Sequence, residues 1–298
     1  MKKCLILFSF ALFSTAFAQI DPVKYPTYTD IEAALQSKET VFSMSFRDKG
    51  LFNLPPQIST LDSIFFLNMM GNNFEKIDEV LFSLKEMQIL NINENNIKYI
   101  PDGISKLQKL NTFSMNINQL TAINPEFSKL QNLKAVHLDA NNLNIFPPAL
   151  TKISGLKEIN LHSNQISNVS DVDQIKSLEF LNLSANQIND LDHSEFPKNL
   201  KYLELQKNTL INFPETILKL KNLEFLNIGE NKISEISPKI KNMKKLASLN
   251  LANNQLTTLP EEISRLKNLK TLIITGNSIP KEEIEKLQKQ MPETQIFF

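Results

Sequence analysis

Cysteine is nearly missing from this chain: 298 residues contain one, Cys4. No disulfide can form within the chain, so its stability must come from packing rather than covalent staples. Charge of one sign is missing too. Lys+Arg and Asp+Glu both number 32, so there is no basic excess to follow a phosphate backbone or an anionic membrane surface, and nucleic acid is not an expected partner. Gly (6) and Pro (14) are sparse, which excludes collagen-like and linker chains, while 42% hydrophobic content supports a continuous core. No apolar run approaches the ~20 residues needed to span a bilayer. Nucleophile-elbow, phosphate-loop and HExxH signatures are also absent, as is any CxxC pair. The expected molecule is not an enzyme and uses no cofactor.

The first eighteen residues differ from all that follow. Lys2 and Lys3 precede the apolar run Leu5 to Phe13, and Ala16 and Ala18 then occupy two small-residue positions. This is the pattern of a secretory signal peptide, residues 1–18, with cleavage expected after Ala18. Cys4 lies ahead of the apolar run, where it cannot be the lipid-bearing cysteine of a lipoprotein. The expected mature chain begins at Gln19, has no membrane span and is extracytoplasmic, either periplasmic or secreted.

From Val41 one pattern recurs, cleanest as Leu246-x-x-Leu249-x-Leu251-x-x-Asn254-x-Leu256-x-x-Leu259-Pro260-x-x-Ile263. Its first apolar position falls at Val41, Ile64, Met87, Leu110, Leu133, Leu156, Leu178, Leu200, Leu223, Leu246 and Leu269, in steps of 23 residues with two of 22. Position nine is Asn in every repeat except the first, which has Lys49. These residues resemble the leucine-rich-repeat family and its LxxLxLxxNxL signature. The segments Leu54-Pro55-x-x-Ile58, Ile100-Pro101-x-x-Ile104, Phe213-Pro214-x-x-Ile217 and Leu259-Pro260-x-x-Ile263 are similar to the typical 23-residue class of bacterial proteins. The resemblance implies an α/β fold, a leucine-rich-repeat solenoid: a curved right-handed superhelix with parallel strands on its concave face and 3₁₀ or irregular turns on its convex face.

The alternation carries its own argument. Leu at positions one, four and six alternates as a strand does and points inward, so each repeat supplies one short parallel strand. The Asn, sited where the chain leaves the strand, is expected to satisfy backbone groups of neighbouring coils that would cost ~1–3 kcal/mol each if buried unpaired. Repeats then span about 41–279, between an N-terminal helical cap (19–40) and a C-terminal cap (280–298). Thr29-Asp-Ile-Glu32 reads as a capping box opening a helix through Ser37. Pro280 is expected to start a helix carrying Ile284 and Leu287, with a last strand from Thr294 to Phe298.

Positions three, five and seven of each strand should point out of the concave face. Position three holds Phe66 and Ile89 toward one end, Glu158 near the middle, and Phe180, Tyr202 and Phe225 in consecutive repeats. Those three rings are expected to form an exposed aromatic strip that binds a protein or peptide, with Glu204 beside it and His137, Asp139, Glu158, Asn160 and His162 supplying polar contacts. The alternative is a passive envelope scaffold in which the rings only cover the core. Position five, mostly Asn from Asn68 to Asn250, is expected to form a self-satisfying amide ladder. A third reading, metal-dependent or hydrolytic chemistry, would use His137, Asp139 and His162, which the register places on adjacent strands.

Overall fold

The computed structural model describes residues 24–298; the expected signal segment lies outside the described residues. Thirteen strands form one parallel sheet in sequence order: β1 (Thr27–Tyr28), β2 (Ser43–Ser45), β3 (Phe66–Asn68), β4 (Ile89–Asn91), β5 (Thr112–Ser114), β6 (Ala135–His137), β7 (Glu158–Asn160), β8 (Phe180–Asn182), β9 (Tyr202–Glu204), β10 (Phe225–Asn227), β11 (Ser248–Asn250), β12 (Thr271–Ile273) and β13 (Gln295–Phe297). The sheet does not close. Pairing is in register, so Phe180 lies against Tyr202 and Tyr202 against Phe225. Strands β2 to β12 are each three residues long and span positions three to five of their repeats.

The return path of most coils is a short 3₁₀ turn such as Asp102–Lys106 or Glu261–Arg265, entered through a proline whose fixed φ suits it. Positions one, four and six, with the apolar residues of these turns, make one uninterrupted core along the solenoid; Leu133, Val136 and Leu138 are fully buried, as are their counterparts elsewhere. No coil has a core of its own, so each is stable only against its neighbours.

The Asn of position nine locks successive coils together. Asn164 donates through Nδ2 to the carbonyl oxygens of Leu138 in the preceding coil (3.0 Å) and Leu161 in its own (3.1 Å), and its Oδ1 accepts from Leu143 N (3.1 Å). The arrangement repeats at all ten asparagines. It also explains Lys49. Each Asn serves the coil before it, so Asn72 satisfies Lys49 N and Leu51 N, and the first coil has no earlier repeat to serve.

Position eight, unremarked in the sequence, adopts a left-handed backbone in every repeat. Gly71 and Gly276 take it freely, whereas Asp48, Glu94, Ile117, Ala140, Ser163, Ala185, Lys207, Glu230 and Asn253 hold φ between 52° and 56°. The left-handed region costs an L-residue about 1–2 kcal/mol. The turn is held because position eight donates to the next coil, as Ile117 N does to Asp139 O at 2.8 Å, while position nine bonds back to the previous one.

The ends are closed by α1 (Ile31–Leu35) and α3 (Lys281–Gln290). The N-cap of α1 is Asp30, which accepts from Ala33 N at 2.9 Å, not Thr29 as the capping-box spacing implied. Thr29 is spent on the exit from β1, a strand that the sequence pattern did not announce and that pairs with β2. A further short helix, α2 (Pro148–Thr151), replaces the 3₁₀ turn of one central coil. No helix among the described residues is long and apolar enough to cross a membrane.

Candidate functional site

The outward face of the sheet divides into a polar centre on β6 and β7 and an aromatic stretch on β8 to β10. In the centre His137 Nε2 donates to Glu158 Oε1 at 2.9 Å, and Asn160 Nδ2 donates to Asp139 Oδ2 at 2.9 Å. Both contacts join neighbouring strands. Asp139 Oδ1, by contrast, is buried with no hydrogen-bond partner. Burial raises the Asp139 pKa to about 6, against the opposing pull of the His137 charge.

His162 turns toward the following repeat. Its Nδ1 lies 2.8 Å from Ser184 Oγ and its Nε2 lies 2.9 Å from Ser163 Oγ. Ser184 Oγ donates to Asn182 Oδ1, so its proton is committed and His162 must donate through Nδ1. Ser163 then donates to Nε2, which leaves a neutral imidazole with both nitrogens occupied. Burial lowers the His162 pKa, in agreement with that tautomer.

The metal reading fails on this geometry. His137 is turned to Glu158 and His162 to two serines, so the lone pairs a cation needs do not converge with Asp139. Among the described residues no group of three or more His, Cys, Asp or Glu side chains is arranged to hold a metal ion. The register brought these residues to adjacent strands; serines at positions seven and eight, too ordinary to stand out in the sequence, decided where the rings point.

Position five is not an amide ladder between coils. Each of its six asparagines instead accepts, through Oδ1, from the backbone N–H two residues ahead in its own strand, as Asn182 does from Ser184 N at 2.9 Å and Asn250 from Ala252 N at 2.9 Å. The short Asx side chain puts its Oδ1 within reach of its own backbone, while Nδ2 of Asn160 and of Asn227 donates to Asp139 Oδ2 and Gln206 Oε1 of the preceding coil.

The aromatic stretch does form. Ring centroids lie 6.4 Å apart for Phe180 and Tyr202 and 6.3 Å apart for Tyr202 and Phe225, with interplanar angles of 40° and 33°. The rings are less open than the alternation implied. Phe180 is only 7% exposed, whereas Tyr202 and Phe225 are half-buried. Next to them Glu204 is 8% exposed, and burial raises its pKa.

A family model described as a leucine-rich repeat region matches residues 155–288. No curated protein compared with the chain matches it. Among solved structures, an internalin from Listeria monocytogenes superposes with a TM-score of 0.64 at 22% identity, covering 81% of this chain and 76% of that one. A TDR receptor gives 0.71 at 27% identity over 87% of this chain and 47% of its own. A chain of the octameric complex of Latrophilin 3, Unc5D and the leucine-rich-repeat part of FLRT2 gives 0.72 at 22% identity, over 86% and 83%. With eleven coils on one continuous parallel sheet and a leucine-rich-repeat model matching residues 155–288, the chain folds as a leucine-rich-repeat solenoid.

Proposed function

We propose that this protein is an exported, non-catalytic recognition module that binds a protein or peptide on the concave face of its sheet. The observation that carries the reading is the run of three rings at one strand position in consecutive coils, spaced 6.3–6.4 Å on a backbone already fixed by the asparagine column. Rings held in this way lose little freedom when a partner covers them, and such anchors can each contribute ≥2 kcal/mol. Likeness to a chain of the FLRT2-containing complex supports a protein partner. The signal-like residues 1–18 support export, with maturation at Gln19.

The near-burial of Phe180 favours the scaffold reading at that one ring, which is why the decisive variants lie at Tyr202 and Phe225. A photoreactive phenylalanine at position 225, with a convex-side control at Lys219, should crosslink one partner from the first site and not the second. With that partner purified, Tyr202→Ala combined with Phe225→Ala should weaken binding by about 30-fold or more at an unchanged melting temperature. Equal crosslinking from both sites, or unaltered binding by the double variant, would leave the rings as a cover for the core.

A further inference from the structure

Two groups at and just after β9 are left open that neighbouring coils satisfy internally. The first is the Glu204 carboxylate, which is 8% exposed and, among the described residues, makes no hydrogen bond or ion pair. The lysines next in sequence to this strand are committed elsewhere, Lys201 to Glu179 at 2.6 Å and Lys207 to Glu230 at 3.9 Å. The second is the backbone N–H of Gln206. Its counterparts at Met70, Asn93, His162, Ser184, Gly229 and Ala252 each donate to the Asn two residues back. With Glu204 in place of that Asn, Gln206 N–H finds no acceptor among the described residues.

Resting on the concave-face reading above, we propose that Glu204 receives one cationic side chain, the guanidinium or ammonium of a basic residue in an extended peptide, whose flanking apolar residue lies on the Tyr202 and Phe225 rings. A carboxylate drawn out of water without a partner is unfavourable, and an arriving cation relieves that cost while losing its own hydration only once. Tyr202 is two residues back on the same strand face and presents its ring to the same cation. A carbonyl of the bound peptide takes the Gln206 N–H. An uncharged side chain of the same shape is rejected, because it leaves the buried carboxylate as it was.

The test uses the full chain and two capped tripeptides, acetyl-Leu-Arg-Leu-amide and its citrulline counterpart, followed by carbon NMR of the Glu204 carboxyl and by the Tyr202 resonances. Binding of the arginine peptide should lower the titration midpoint of Glu204, and the citrulline peptide should bind at least about tenfold more weakly. Glu204→Gln should bring the two peptides to equal affinity without lowering the melting temperature, which a purely structural role would not do. Equal binding of both peptides, with the Glu204 midpoint unmoved, overturns the proposal. If Tyr202→Ala with Phe225→Ala then abolishes both, the concave-face reading stands and only the cation receptor is lost. Absence of any shift on the sheet face up to millimolar peptide also overturns the proposal, and the concave-face reading is then judged on the crosslinked partner alone.

Discussion

Two columns of asparagine run along this sheet, four residues apart in each coil, and they do opposite kinds of work. At position nine the side chain is buried and makes bonds to two coils at once, as Asn164 does to Leu138 O, Leu161 O and Leu143 N. At position five each Asn bonds its own strand, two residues ahead, and of the six only Asn160 and Asn227 also reach the preceding coil, at the side chains of Asp139 and Gln206. The first column has no exception from Asn72 to Asn277. The second tolerates Ser114, His137 and Glu204. A column whose bonds cross to the backbone of the next coil cannot change at one site without orphaning groups in its neighbour, whereas a column whose backbone bonds are local can be rewritten coil by coil. The outward positions can therefore vary while the frame stays fixed.

The largest effect that separates the columns should come from the inner one. Asn164→Ala leaves the carbonyls of Leu138 and Leu161 and the Leu143 N–H without their partner in a site that water does not reach, for a loss of about 3–4 kcal/mol. Asn168→Ala, at an exposed position in the same coil, should change stability by under about 0.5 kcal/mol. Chemical denaturation of the two variants compares them directly. Equal midpoints would mean that the inter-coil bonds carry no net stability.

The frame was legible in the sequence because it is written in columns: Leu at one, four and six and Asn at nine each recur some ten times, and recurrence needs no knowledge of contacts. The left-handed position eight was not legible. Its occupants include Asp, Glu, Ile, Ala, Ser, Lys and Asn, so the only shared property is a backbone angle imposed by bonds on either side. The face was half legible. Register placed Phe180, Tyr202 and Phe225 together, but the burial of Phe180 and the orientation of His162 depend on individual neighbours such as Ser163 and Ser184, which no periodicity announces.

The next effect tests whether the outward columns are as independent as the comparison suggests, since Asp139 at position seven is tied to Asn160 at position five. Burial raises the Asp139 pKa from 3.8 to about 6, so the folded state holds its proton more tightly than the unfolded chain does. The resulting stability is complete below pH ~4 and is lost as pH rises through 6, a contribution of about 2–3 kcal/mol. Asp139→Asn should remove that slope. The difference between the denaturation curves of wild type and variant from pH 4 to 7 measures it, and parallel curves would show that the carboxyl titrates normally.

A smaller gain is available at position eight, between the two columns. Ile117 is β-branched, 54% exposed and held at φ 54°. Little burial is lost on replacing it, and Asn accepts the left-handed region far more readily than Ile. Ile117→Asn should raise stability by about 1 kcal/mol, read as a shift of the denaturation midpoint at constant slope. A fall would mean that the Ile117 side chain packs usefully against the rim.

The smallest expected change bears most directly on the outer column, because it restores the asparagine that β9 lacks. In Glu204→Asn the new Oδ1 can accept from Gln206 N as its counterparts do in six other coils, adding about 0.5–1 kcal/mol. The substitution also removes a carboxylate whose pKa burial has raised. A group of that kind lends stability below its unfolded pKa and loses it as pH rises, so the gain from replacing it should be larger at pH 7 than at pH 4. Binding of the arginine tripeptide should move the other way and fall to the level of the citrulline peptide. A stabilising substitution that costs recognition is the expected sign of a residue kept for a ligand rather than for the fold. If Glu204→Asn instead lowers stability at pH 7, Glu204 belongs to the frame, and the tolerance of the outer column is narrower than its sequence makes it look.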